Sequence, residues 1–163
     1  MVTTPHPATA ALPAAVPAGK ARLSVAAPAY NEAAGIEAVV RDWHTCLAGS
    51  GDIGEFEIVV CNDGSRDGTG AILDTLAAEL PQLRPVHFVR NQGAAAALAA
   101  AIRATRHDWV LLIDSDGQFP VADGLVMLAA ARRAGADAAI GIRRKKDSLF
   151  ARFGTWSSGI ACN

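Results

Sequence analysis

The chain has 163 residues, one domain's worth of polypeptide, and a domain of that size buries roughly 70% of its unfolded surface without disulfides. Hydrophobic residues make up 51% and charged residues 19%, with a formal net charge of -1, which excludes an intrinsically disordered chain and bulk nucleic-acid binding. Three cysteines (Cys46, Cys61, Cys162), odd in number and in no CxxC pair, argue for a reducing compartment and against a zinc cluster.

Residues 1–19 hold four of the eight prolines and no Asp, Glu, Lys or Arg. They predict a disordered leader, with residues 20–163 as the folded domain. A secretory signal would need a basic start and an uninterrupted apolar core, and neither is present. No stretch reaches the ~18 apolar residues of a membrane span, since the Ala-rich run 93–102 is too short.

Beyond Lys20, short apolar runs alternate with helical periodicity. Strands are expected at 23–28, 57–62, 85–89, 109–114 and 137–142, several of them continuously apolar, as suits a sheet covered on both faces. Between them, Ile36, Val39, Val40, Trp43 and Leu47 mark one helix face, and Ile72, Leu73, Leu76 and Leu80 another. Residues 93–106 and 122–134 read as a third and a fourth helix. Repeated strand–helix units imply an α/β fold with a mostly parallel sheet and right-handed crossovers. Ligands in such folds bind at the carboxyl ends of the strands.

Three polar clusters follow strands: 28–32 (PAYNE), 62–67 (NDGSRD) and 114–118 (DSDGQ). In the last, Asp114, Asp116 and Gln118 are spaced i, i+2, i+4, and an extended backbone would point all three one way. Two carboxylates and an amide suit a hard divalent cation such as Mg²⁺ or Mn²⁺; the same residues also fit a solvated turn. Asp63 is placed to accept hydrogen bonds from a base or ribose, while Gly64 and Ser65 equally read as a tight turn and a helix cap. Tyr30 could pack on a base and Glu32 accept its N–H donors, or Asn31 and Glu32 could simply start a helix. No GxGxxG, GxxxxGK[ST] or GxSxG occurs, and the four histidines lack ligand spacing, so nicotinamide, phosphate-loop and serine-hydrolase chemistries find no support.

Taken in order, AAPAYNEAAGIEAVV (26–40), EIVVCNDGSRDGT (57–69), VRNQGAAAAL (89–98), WVLLIDSDGQFP (109–120) and GIRRKKDSLFARF (141–153) resemble the family 2 inverting glycosyltransferases. Within that family the likeness is to dolichol- and polyprenyl-phosphate sugar transferases, and it runs from about residue 22 to residue 163. The resemblance implies a GT-A, Rossmann-like three-layer α/β/α sandwich, a UDP- or GDP-sugar donor and Mg²⁺ or Mn²⁺. It also implies a polyprenyl-phosphate acceptor at the cytoplasmic face of a membrane, where the protein would be peripheral. Pro28, Tyr30 and Glu32 match the PxYNE element around the base, and Asp63 matches the second acid of DDGS, with Asn62 in place of the first. Asp114 and Ser115 match nucleotide contacts, and Asp116 and Gln118 match the metal pair of DxDxQ. Arg143 matches the GxR arginine that faces the donor phosphates. Arg144, Lys145, Lys146 and Arg152 resemble the segment that meets the lipid phosphate; residues 143–163 carry net +4, leaving -5 for the rest. The bland alternative for that run is a solvated basic surface.

The chemistry is coherent on its own terms. A divalent ion and an arginine stabilise the charge that develops on a nucleoside-diphosphate leaving group. A phosphate-monoester acceptor is already anionic, so no protein base is required, and none is identified. Two departures stand out: Ala94 and Ala101 occupy positions where relatives often carry a polar or basic residue and a glycine, and either change would alter the pocket lining. The family pattern also continues beyond the position of Asn163, so a partial domain is expected. Two other readings remain for such a chain: a nucleotide-binding remnant without turnover, and a non-catalytic interaction fragment whose exposed sheet edge associates with another chain, a homo-oligomer being one such assembly.

Overall fold

The structure, a computed structural model, is described for residues 19–142 and 159–161. Residues 1–18 of the expected leader, Cys162, Arg143, Arg144, Lys145, Lys146 and Arg152 lie outside the described residues. Residues Gly19–Gly124 form one compact unit, and a second begins at Leu125.

The first unit is built in strict alternation: β1 (Ala21–Ala29), α1 (Ile36–Gly49), β2 (Ile53–Asn62), α2 (Thr69–Glu79), β3 (Leu83–His87), α3 (Ala94–Ala104) and β4 (Trp109–Leu112). All strands pair in parallel, in the order β3-β2-β1-β4. The steps from β1 through α1 to β2 and from β2 through α2 to β3 run the same way across the sheet. The step through α3 returns to the far side of β1. Right-handed crossovers therefore put α1 and α2, which touch one another, on one face and α3 on the other. The strand order reverses between β1 and β4, and a crevice opens at such a point.

Packing follows the alternation of side chains along each strand. Ala26, Val59 and Cys61 form one buried cluster with Ala97 and Ala101 of α3, bordered by Val86 and Phe88. Small residues at 97 and 101 let this helix lie close on the sheet, so Ala101 belongs to the core and does not line a pocket; Ala94 is exposed. On the opposite face Val25, Ile58 and Val60 are fully buried, as are Ile36, Val40, Trp43 and Leu47 of α1 and Leu73 and Leu76 of α2. The Cys61 thiol is pushed up to about 11, mainly by burial and then by the nearby Asp63 carboxylate. It acts as an apolar filler.

Two prolines sit in strands without disrupting them. Pro85 is on the edge strand β3, where a missing donor is tolerated. Pro28 is in the central strand β1, but β4 pairs with β1 only as far as Ala26. Its missing N–H therefore deprives no partner. Two expected strands are shorter than their apolar runs: β3 ends at His87, leaving Val89 fully exposed, and β4 ends at Leu112.

In the second unit, the end of α4 (Val121–Ala134) is closed by Gly135 at φ 61. The Gly135 and Ala136 amides donate to Arg132 and Ala131 carbonyls, a Schellman motif. The strand expected at 137–142 is reduced to β5 (Ile140–Ile142), which pairs antiparallel with β6 (Gly159–Ala161).

Candidate functional site

The turns after β1, β2 and β4 are joined by hydrogen bonds at the carboxyl edge of the sheet. After β1 the chain turns through Asn31, the one described non-glycine residue at positive φ (57). Asparagine tolerates that conformation, and here its backbone N–H and its side-chain Oδ1 are both engaged. The Asn31 amide N–H donates to Ser65 Oγ at 3.0 Å, and Asn31 Oδ1 accepts the Arg66 N–H at 2.9 Å. The next two amides are held as well: Glu32 N–H donates to Thr69 Oγ1 at 2.9 Å and Ala33 N–H to Asp67 Oδ2 at 2.9 Å. Tyr30 is exposed beside this brace, and the Glu32 carbonyl accepts the Gly35 and Ile36 amides that begin α1.

The turn after β2 is equally determined. Asn62 Oδ1 accepts the Ser65 N–H at 3.0 Å, and Gly64 has φ +66, with any Cβ there falling 2.4 Å from the Arg90 carbonyl carbon. Asp63, only 2% exposed, accepts the Gln92 N–H at 2.7 Å on one oxygen and the Gly93 N–H at 2.9 Å on the other. It therefore clamps the segment that leads into α3. Ser65 does not cap α2, whose N-cap is Gly68 without a side-chain bond; its hydroxyl serves the β1 turn instead. Asp67 accepts the Thr69 hydroxyl at 2.6 Å and the Thr69 N–H at 3.1 Å. The Thr69 hydroxyl first, and the Ala33 amide next, hold the Asp67 carboxyl below its ordinary value.

The third cluster is tied to the first by Ser115, which is buried and donates its hydroxyl to the Pro28 carbonyl at 2.7 Å. That bond satisfies the carbonyl of a residue beyond the last β4 pairing. The expected extended run through Asp114, Asp116 and Gln118 is not observed. The strand stops at Leu112, Gly117 adopts φ +74, and Asp116 Oδ1 accepts the Gln118 N–H at 2.9 Å, closing a turn. Asp114, Asp116 and Gln118 are all exposed on that turn. Among the described residues no group of three or more His, Cys, Asp or Glu side chains is placed to hold a metal. The oxygen donors of Asp116 and Gln118 fit a hard cation that takes most of its ligands from water and substrate phosphates, as Mg²⁺ does.

The structure thus brings Pro28, Tyr30, Glu32, Asp63 and Ser115 into one braced edge, with Asp114, Asp116 and Gln118 on the adjoining turn. Asn31, Asp67 and Thr69 were missed as site-building residues. Their Asx and hydroxyl–backbone bonds connect positions 34 to 37 residues apart, which local spacing does not display. Among the described residues no helix is long and apolar enough to cross a membrane.

Comparison with known proteins bears on the family and the fold. The family model "Glycosyl transferase family 2" matches residues 24–155. The chain is 39% identical over 104 residues to glycosyltransferase AglD of Haloferax volcanii, covering 64% of this chain and 17% of that protein. It is 38% identical over 94 residues to the bactoprenol glucosyl transferase of Shigella phage SfX, covering 58% of this chain and 30% of that protein. Among solved structures it resembles the mannosyltransferase PcManGT of Pyrobaculum calidifontis, in complex with GDP-Man and Mn²⁺. That match has a TM-score of 0.60 and 29% identity, covering 78% of this chain and 37% of the other. The chain therefore spans well under half the length of these relatives, and its fold is the GT-A α/β class. With the family match extending through every turn that builds the edge, the chain belongs to glycosyl transferase family 2.

Proposed function

We propose that this chain provides the nucleotide-sugar site of an inverting, metal-dependent glycosyltransferase that moves a sugar from a UDP- or GDP-sugar to a polyprenyl phosphate at the cytoplasmic face of a membrane. The observation that carries the reading is the hydrogen-bonded junction of the three turns at the β1/β4 reversal, in a chain of this family. The GDP-Man and Mn²⁺ bound by the mannosyltransferase neighbour support the donor and the cation, and the bactoprenol named for the phage relative supports the acceptor.

In this reading Pro28, Tyr30 and Glu32 receive the base. Asp63 serves them by fixing the Gln92 and Gly93 amides against the 62–65 turn. Asp114, Ser115 and Asp116 border the ribose and diphosphate, Asp116 and Gln118 hold the cation, and Arg143 faces the phosphates. When bound, the cation neutralises charge on the departing diphosphate. The acceptor phosphate oxygen attacks the anomeric carbon as the bond to the diphosphate breaks, so the configuration inverts. Arg144, Lys145, Lys146 and Arg152 attract the anionic acceptor.

The test is a calorimetric titration of the folded chain with UDP and with GDP, with and without Mn²⁺, followed by transfer to a polyprenyl phosphate. Metal-dependent heat with one nucleotide is expected, and Asp116→Ala is expected to lose it while keeping the wild-type circular dichroism spectrum. Silence with both nucleotides in a folded chain, or undiminished affinity in the variant, would refute the reading.

A further inference from the structure

We propose that Asn62 is a positioning residue for the base-binding turn and does this work only while His87 is neutral; the inference rests on the donor-site reading above. Asn62 is nearly buried and its amide is used at both ends. Oδ1 accepts the Ser65 N–H at 3.0 Å, and Nδ2 lies 3.1 Å from His87 Nδ1. A backbone N–H can only donate, so Oδ1 must face Ser65 and the NH₂ must face the ring. His87 Nδ1 is then an acceptor, and its single proton sits on Nε2, 3.0 Å from Asp74 Oδ1.

Protonation of the ring places a second N–H on Nδ1, pointing at the Asn62 NH₂. Two donors then face each other. Turning the amide over satisfies the ring but strips the Ser65 N–H of its acceptor, so one bond is lost either way. The groups cannot easily separate, because the first turn of α2 closes on them. A Cβ at Gly70 would stand 2.8 Å from Asn62 Nδ2 and 3.5 Å from His87 Nδ1. Asp74 of α2 faces Nε2 of the ring, and Asn62 of β2 faces Nδ1. Arg84, on the same strand as His87, is engaged by Glu57 and the Ala104 carbonyl. Among the described residues His87 has no other hydrogen bond or ion pair.

The consequence reaches the site through Ser65. Its hydroxyl accepts the Asn31 N–H, and Asn31 sits at positive φ between Tyr30 and Glu32. Loosening the Ser65 amide therefore loosens the turn that presents both side chains. An acid in place of Asn62 would accept from the Ser65 N–H and the charged ring together, and the conflict would vanish.

The experiment is an NMR titration of the folded chain between about pH 8 and about pH 5, combined with nucleotide affinity at both ends. The Ser65 and Asn31 amide resonances are expected to move with the same midpoint as the His87 ring, and the affinity for UDP or GDP to fall about fivefold on the acid side. Asn62→Asp and His87→Gln, each keeping an acceptor where it is needed, are expected to abolish the acid-side loss. Ser65 and Asn31 resonances that do not follow His87, or an affinity loss that persists in His87→Gln, would overturn the proposal. If neither nucleotide binds at any pH, the donor-site reading fails, while the amide titration still decides whether Asn62 couples His87 to the turn.

Discussion

Gly64 shows how narrowly single residues define the candidate site. Its φ of +66 and a virtual Cβ only 2.4 Å from backbone atoms of Arg90 leave no room for any side chain. Gly68 also has positive φ, at +93, but nothing lies within 4 Å of its virtual Cβ. Gly64→Ala should therefore lower stability by about 3 kcal/mol, combining conformational strain with backbone displacement, and Gly68→Ala by about 1 kcal/mol. Urea denaturation of the two variants checks this, and equal losses would show that the contact with Arg90 is not the cause. A tight turn at Gly64 was legible from the residue type. Its fit against Arg90, 26 positions away, was not, because such an approach arises only when β2 and β3 pair.

Among the elements, the central strands are tied together at their amino-terminal halves by a buried carboxylate. Glu57 of β2 accepts the Ser24 hydroxyl at 2.7 Å, the Arg106 amide at 2.6 Å and the Arg84 guanidinium at 2.7 Å. It thereby joins β1, β2, β3 and the segment after α3. Burial acts to raise its pKa, but the bonds from Ser24, Arg84 and Arg106 outweigh burial and leave it below the ordinary carboxylate value. A depressed folded pKa contributes stability that is complete above the unfolded value of about 4.3 and disappears as pH falls through the folded value. Glu57→Gln leaves Arg84 without its counter-charge and should cost about 3 kcal/mol at neutral pH. The gap between variant and wild type should narrow in acid. Urea midpoints at about pH 7 and about pH 3 test both the size and the sign. Glu57 stands at the head of an apolar run, two residues after Glu55, but its partners lie 27 to 49 residues away, and only the assembled sheet supplies them.

Across the molecule, protection should follow the sheet order. Residues 25–27 of β1 and 58–61 of β2 are fully buried, flanked by strands on both sides and helices on both faces. β4 is four residues long, lies at the edge of its sheet and exposes Val110 and Leu112. Backbone amides of β1 and β2 should exchange with solvent only through global unfolding, those of β4 through smaller openings. Hydrogen exchange resolved by residue tests this, and β4 amides as slow as those of β1 would contradict it.

The alternation of strands and helices, the parallel sheet, the faces of α1 and α2 and the three polar turns were readable from periodicity and from where the apolar runs stop. These features depend on side chains within one or two helical turns of each other, and local physics is enough to produce them. What the chain alone did not disclose is how those turns are used. Ser115 reaches the Pro28 carbonyl across 87 positions, Asp63 closes on Gln92 and Gly93, and the acids after β4 curl into a turn where extension was expected. Each outcome depends on which strand lies beside which, and on where one ladder ends before its neighbour. Those are properties of the assembled sheet, and hydrogen bonds between distant residues form only once it exists.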